Sequence, residues 1–177
     1  TIYYYMAEQK KIPITRISRF FASEDFSLEQ EMGMEWLHGD MNFTLVLFRV
    51  DREKSDNDDV YGEAGPEEIR YKAPVEFNAY VSISEPKNSS YASGLVNQME
   101  PGNMTLSVYM KHLEELDIDI SYGDYVGYAE TEDRMRYYTV TNDGRVTSDL
   151  AHTIGGYKPF YRTITCSYVS PNEFKGI

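Results

Sequence analysis

The chain has 177 residues, 41% of them hydrophobic, enough for one domain with its own core, and a net charge of −12. So negative a surface disfavours adhesion to nucleic-acid backbones and anionic lipids, and no apolar run approaches the ~20 residues of a membrane span. Tyrosine outnumbers leucine, and Val, Ile, Thr, Tyr and Phe fill the apolar runs, which points to β structure rather than helical bundles or dinucleotide-binding folds.

Residues 1–26 read as an arm. Tyr3, Tyr4 and Tyr5 precede Lys10, Lys11, Arg16 and Arg19, with Ile12, Ile14, Ile17, Phe20 and Phe21 interspersed. A segment this apolar is expected to bury itself, on its own domain or on a neighbour. It lacks the layout of a secretion signal, so synthesis in a cytoplasm is expected and Asn42, Asn88 and Asn103 match the glycosylation pattern by chance. Cys166 is the sole cysteine, which excludes an internal disulfide.

Ser27-Leu-Glu-Gln30 has the form of a capping box, and Leu28, Met32 and Trp36 recur every four residues until His38 and Gly39, predicting a short helix. Gly33 weakens such a helix by about 1 kcal/mol relative to Ala. Phe43–Val50 is apolar on both alternating faces and predicts a strand covered on both sides. Asp51–Asp59 follows as an exposed acidic loop. It is not an EF-hand, since no register supplies both the required Gly and the terminal Glu.

Val75–Ile83 alternates, with Val75, Phe77, Ala79, Val81 and Ile83 inward. Pro86–Ser93 reads as a polar loop. Met104–Met110 alternates again, and Lys111–Leu116 predicts one helical turn before extended chain at Asp117–Ile120. Further strands are predicted at Tyr122–Tyr128 and Arg136–Thr141, the latter closed by a turn at Asn142-Asp-Gly144. The last runs over Phe160–Val169, with Phe160, Ile164, Cys166 and Tyr168 on one face. The sum is six or seven strands and one or two short helices without βαβ alternation. We expect a mainly β domain over 27–177, a small antiparallel barrel or sandwich with extended arms and loops.

No catalytic or metal constellation emerges, and no cofactor is expected. His38, His112 and His152 stand in separate contexts, with no second His or Cys at ligand spacing. His112 with Glu114 and Glu115 falls in a polar turn that reads as exposed surface. Cys166 reads as a buried small hydrophobe. Tyr80, Tyr109 and Tyr161, on outward strand faces, are ordinary surface or interface anchors.

Several short motifs follow one another in a fixed order: Phe48-Arg-Val-Asp-Arg-Glu53, Asp59-Val-Tyr-Gly-Glu63, Val75-Glu-Phe-Asn-Ala-Tyr80, Thr105-Leu-Ser107, Gly123-Asp-Tyr-Val126, Tyr137-Tyr-Thr-Val140 and Lys158-Pro-Phe-Tyr161. In this order the chain resembles the neck, or head-completion, proteins of large contractile-tailed bacteriophages typified by the T-even group. The resemblance implies a non-enzymatic virion protein that forms a ring, expected to be hexameric. That ring would close the filled head between the portal adaptor and the tail terminator, beside collar or whisker fibres, with DNA passing through its lumen. It makes Asp56, Asp58, Asp59 and Glu63 candidates for the lumen or a partner face, and Tyr3, Tyr4, Tyr5, Phe20, Phe21 and Tyr161 candidates for subunit contacts. Two other readings compete: a phage tail or baseplate module on a similar barrel, and a carbohydrate-active or ligand-binding β-sandwich with paired carboxylates.

Overall fold

A computed structural model describes residues 22–40, 43–55, 69–91, 96–100, 102–144 and 159–174. The N-terminal candidates Tyr3, Tyr4, Tyr5, Phe20 and Phe21 and the acidic candidates Asp56, Asp58, Asp59 and Glu63 lie outside these residues.

Helix α1 covers Ser23–Gly39, beginning four residues before the expected cap. The start is set by Asp25, whose carboxylate accepts the Ala22 N–H at 2.9 Å. Ser27 lies inside the helix, and its hydroxyl donates to the Ser23 carbonyl at 3.1 Å. This shift rotates the buried face. Phe26, Met34 and Leu37 point to the core, while the Leu28–Met32–Trp36 stripe lies outward: Leu28 is 58%, Met32 56% and Trp36 43% exposed. Phe26 and Leu37 are nearly sealed from solvent, and burying side chains of this size contributes about 1.5–3 kcal/mol each. Two apolar sets thus run along the helix, and only Phe26, Met34 and Leu37 face the core.

The strands are β1 (Thr44–Phe48), β2 (Val75–Asn78), β3 (Tyr80–Ile83), β4 (Lys87–Tyr91), β5 (Val96–Glu100), β6 (Met104–Tyr109), β7 (Tyr125–Thr131), β8 (Arg134–Asn142) and β9 (Tyr161–Val169), with helix α2 at Met110–Glu115. Seven form one antiparallel sheet in the order β2-β1-β7-β8-β9-β6-β3. The outermost strands, β2 and β3, are successive halves of the predicted run 75–83. Leu45 stands opposite Phe77 in one half, and Val81 opposite Leu106 in the other. At Ala79, which is fully buried, the segment changes partner, so the sheet curls until both its ends meet in one stretch of chain. The architecture is barrel-like and mainly β, although β2 and β3 do not pair with each other.

Leu45, Leu47, Phe77, Met104, Leu106, Val108, Val126, Tyr138, Val140, Ile164 and Cys166 fill the interior, closed below by Leu113, Ile118 and Ile120. The other face of β1 carries Phe48 into a second cluster with Tyr125, Val169 and Phe174. There Phe174 stacks on Tyr125 with ring centroids 4.6 Å apart and meets Phe48, Tyr71 and Tyr137 edge-on. Two apolar faces on β1 are thus explained by two cores.

Pro86–Ser93 is not simply a loop, because β4 and β5 pair as a separate hairpin with Lys87 opposite Glu100. A backbone ladder needs no apolar alternation, so a polar strand of this kind leaves no periodic signal. Gly33 sits in mid-helix for a reason of space. A Cβ there would come within 3.0 Å of the Phe160 ring and 3.3 Å of the Tyr109 ring, so the missing side chain lets α1 approach the sheet.

Candidate interaction surfaces

Where α1 crosses the sheet, an open groove of about 300 Å³ runs between Trp36 and Leu37 on the helix and Tyr80, Ser107, Tyr109, Phe160 and Tyr161 on β3, β6 and β9. Its floor is rigid because Phe160 packs edge-on against Phe26 at 6.1 Å and Tyr109 at 4.9 Å. Burial, and to a smaller degree the neighbouring Tyr161, raises the Tyr109 phenol above its ordinary value, so it is a neutral donor at physiological pH. The structure therefore brings together the three tyrosines read as separate strand surface: Tyr80 exposed, Tyr109 and Tyr161 half-buried, around one wall of Trp36. Aromatic bodies with polar tips suit contact with another surface.

A second, larger cleft of about 700 Å³ opens beneath α2, lined by Arg49, Leu113, Glu114, Asp117, Asp119 and Arg162 among others. Arg162 occupies a register position on the inward face of β9, where the sequence pattern predicts only apolar neighbours. Its side chain is 5% exposed. It donates to Asp119 at 2.7 Å and to the Ile120 carbonyl at 3.0 Å, tying the last strand to the extended chain after α2. The Nε atoms of Arg49 and Arg162 are buried without a hydrogen-bond partner. Arg49 also borders an adjoining polar cleft with Asp51, Arg52, Lys72 and Asp124. On this acidic protein the two clefts form the described region where cations gather, and each is interleaved with carboxylates.

Asp124, in the Gly-Asp pair, is a buried staple. One carboxylate oxygen accepts the Val50 N–H at 3.0 Å and the other the Ser121 N–H at 2.9 Å. Burial raises its carboxyl above the usual range, and the two N–H bonds with the Arg52 and Arg49 charges pull it partly back. Gly123 supplies the left-handed turn (φ +88°) that swings Asp124 into place.

His112 is not the exposed residue expected from its polar turn. It is buried, its Nε2 accepts the Asn78 N–H at 3.0 Å, and its ring lies 5.2 Å from that of His38. It thereby occupies the break where β2 gives way to β3. Desolvation, then His38, lowers its basicity, while Glu115 raises it in part. Sequence spacing could not reveal this pairing, because His38 and His112 stand on different helices far apart in the chain and meet only in the fold. Among the described residues no group of three or more His, Cys, Asp or Glu side chains is placed to hold a metal ion. Cys166 is buried in the main core, as its strand position predicts.

No protein-family model matches the chain, and a search of curated proteins finds no relative.

Proposed function

We propose that this chain is a structural component of a bacteriophage virion neck, copies of it forming a ring that closes the DNA-filled head and joins the portal adaptor to the tail. The observation that carries this reading is the way the resembling motifs fall on the sheet. Phe48–Glu53 leads out of β1, Val75–Tyr80 spans the β2–β3 break, and Thr105–Ser107 lies in β6. Gly123–Val126 turns into β7, Tyr137–Val140 lies in β8, and Phe160-Tyr161 enters β9. Every strand of the seven-stranded sheet is thus touched by the motif series, in order, so the resemblance extends over the whole core rather than one turn.

The physical character of the chain supports the same role. A net charge of −12 keeps a surface from adhering to passing DNA. A curled sheet with its core on both faces of β1 makes a stiff body on which contact surfaces can be carried. The aromatic groove and the mixed-charge clefts offer such surfaces, with Tyr161 at one and Arg49 at the other.

The test is genetic and structural. Removing the reading frame from the virus that encodes it is expected to leave filled heads and finished tails that do not join. Imaging of the intact particle is expected to show the chain as a ring between portal and tail. Density in the tail or baseplate would replace this reading with a tail module, and joined, infectious particles without the protein would refute a neck role.

A further inference from the structure

Just past β1 the chain forms a short antiparallel bridge between Val50 and Tyr71, with the Lys72 N–H donating to the Arg49 carbonyl at 2.9 Å. That register sets Lys72 directly opposite Arg49, and both side chains line the polar cleft of about 490 Å³. Like charges directly opposite each other on paired strands are destabilising. Among the described residues neither side chain has a hydrogen bond or an ion pair, and the Arg49 Nε is buried without an acceptor. The carboxylates around them are already engaged. Asp51 pairs with Lys54 at 3.5 Å and accepts the Glu53 N–H, and Asp119 holds Arg162 at 2.7 Å. The Arg49 charge reaches Asp124, but both oxygens of that carboxylate accept backbone N–H groups. Of the acidic groups lining the cleft this leaves Glu53, which is exposed.

Arg49 also borders the larger cleft, where Arg162 is 5% exposed and leaves its own Nε without an acceptor. We infer that the Arg49–Lys72 corner, where the two clefts meet, binds a tetrahedral oxoanion with two negative charges: a phosphate group, free or carried as a monoester by a small molecule. The charge count selects this class. Two facing cations are balanced by a dianion, whereas a carboxylate leaves one of them uncompensated, and the guanidinium fork matches phosphate oxygens. A phosphodiester carries one charge per group, and a nucleic acid presenting a row of them is repelled by the net charge of −12. The larger cleft, of about 700 Å³ with Met110, Leu113, Ile118 and Pro159 on its walls, has room for the organic body of a monoester. The inference stands independently of the neck reading, since it concerns a single chain and a small ligand.

Thermal unfolding of the full chain at constant ionic strength tests this, with inorganic phosphate, glycerol 3-phosphate and acetate as probes. At a Kd of about 1 mM, about 10 mM ligand raises the folding constant roughly elevenfold, which lifts Tm by about 3–6 °C. Phosphate or its monoester should give that rise, and acetate well under half of it. Lys72 is exposed, so Lys72→Gln keeps the fold. It should remove most of the phosphate-dependent rise, yet leave the phosphate-free Tm unchanged or slightly higher, because a facing like charge is gone. Arg49→Gln should remove the rise as well. A rise with phosphate alone makes the free ion the ligand, and a larger rise with glycerol 3-phosphate makes it an organic monoester. No rise with either phosphate, an equal rise in the parent and Lys72→Gln, or an equal rise with acetate would overturn the inference.

Discussion

Replacing Asp124 by alanine tests whether the Gly-Asp pair holds the barrel together. The carboxylate satisfies two backbone donors from different segments, Val50 after β1 and Ser121 before β7, at 3.0 and 2.9 Å. Alanine leaves both N–H groups without an acceptor, and a buried orphaned donor costs about 1–3 kcal/mol. The polar cleft lined by Arg49, Asp51, Lys72 and Ser121 adjoins the site and admits water to one of them, so the sum falls in the lower part of the range, about 2–4 kcal/mol. In a domain of this size that lowers Tm by about 5–15 °C. Asparagine keeps the shape and one acceptor but turns an amide N–H₂ toward the second donor, so about half the loss is expected. Urea unfolding of the three proteins, with unchanged m-values, reads the difference. An Asp124→Ala midpoint within error of the parent would refute the stapling role. So would an asparagine variant as unstable as the alanine one.

Gly144 has φ +61°, and a Cβ there would lie 1.8 Å from the Thr163 carbonyl oxygen of β9. Gly144→Ala should therefore cost about 3 kcal/mol, whereas Gly39→Ala, with nothing within 4 Å, should be neutral or slightly stabilising; thermal melting compares them. His112 is held neutral below its ordinary range by burial and by His38, with Glu115 opposing. The unfolded chain therefore takes up the proton first. The contribution of His112 is complete above about pH 6.5 and is lost progressively as pH falls through the folded value. Tm measured from pH 7 to 5 should fall more steeply in the parent than in His112→Gln, and equal slopes would contradict this. Burial pushes the Cys166 thiol up to about 12. Ellman's reagent at pH 8 should react with the unfolded chain only, and rapid labelling of the native protein would show the strand placement to be wrong.

Strands announced themselves wherever one face was buried and the other wet. β6 alternates residue by residue between buried and half-buried, as Met104, Leu106 and Val108 required, and β9 follows with Ile164 and Cys166. The exceptions have physical causes. On α1 two apolar sets compete, and only docking against Phe160 and Tyr109 decides that Phe26, Met34 and Leu37 win. The β4–β5 hairpin rests on backbone pairing and leaves no hydrophobic period. Arg162 and His112 are polar groups in buried positions, made tolerable by partners at sequence distances of 43 and 34 residues, Asp119 and Asn78. A linear pattern carries no sign of such partners. The outward register of Tyr161 on the last strand was legible, but its neighbours in the groove, Trp36 and Tyr80, come to it from α1 and β3.

The change of partner at Ala79 has a consequence for how the molecule opens. One covalent segment carries both outermost strands, so Val75–Asn78 cannot leave β1 without pulling on the residues that pair with β6. Local fluctuations that would fray two independent sheet margins separately are here joined through a single buried alanine. In amide hydrogen exchange the two stretches should therefore behave as one cooperative unit, with a shared opening free energy, although they sit at opposite ends of the strand order. The most peripheral strands of the sheet are in this sense its clasp.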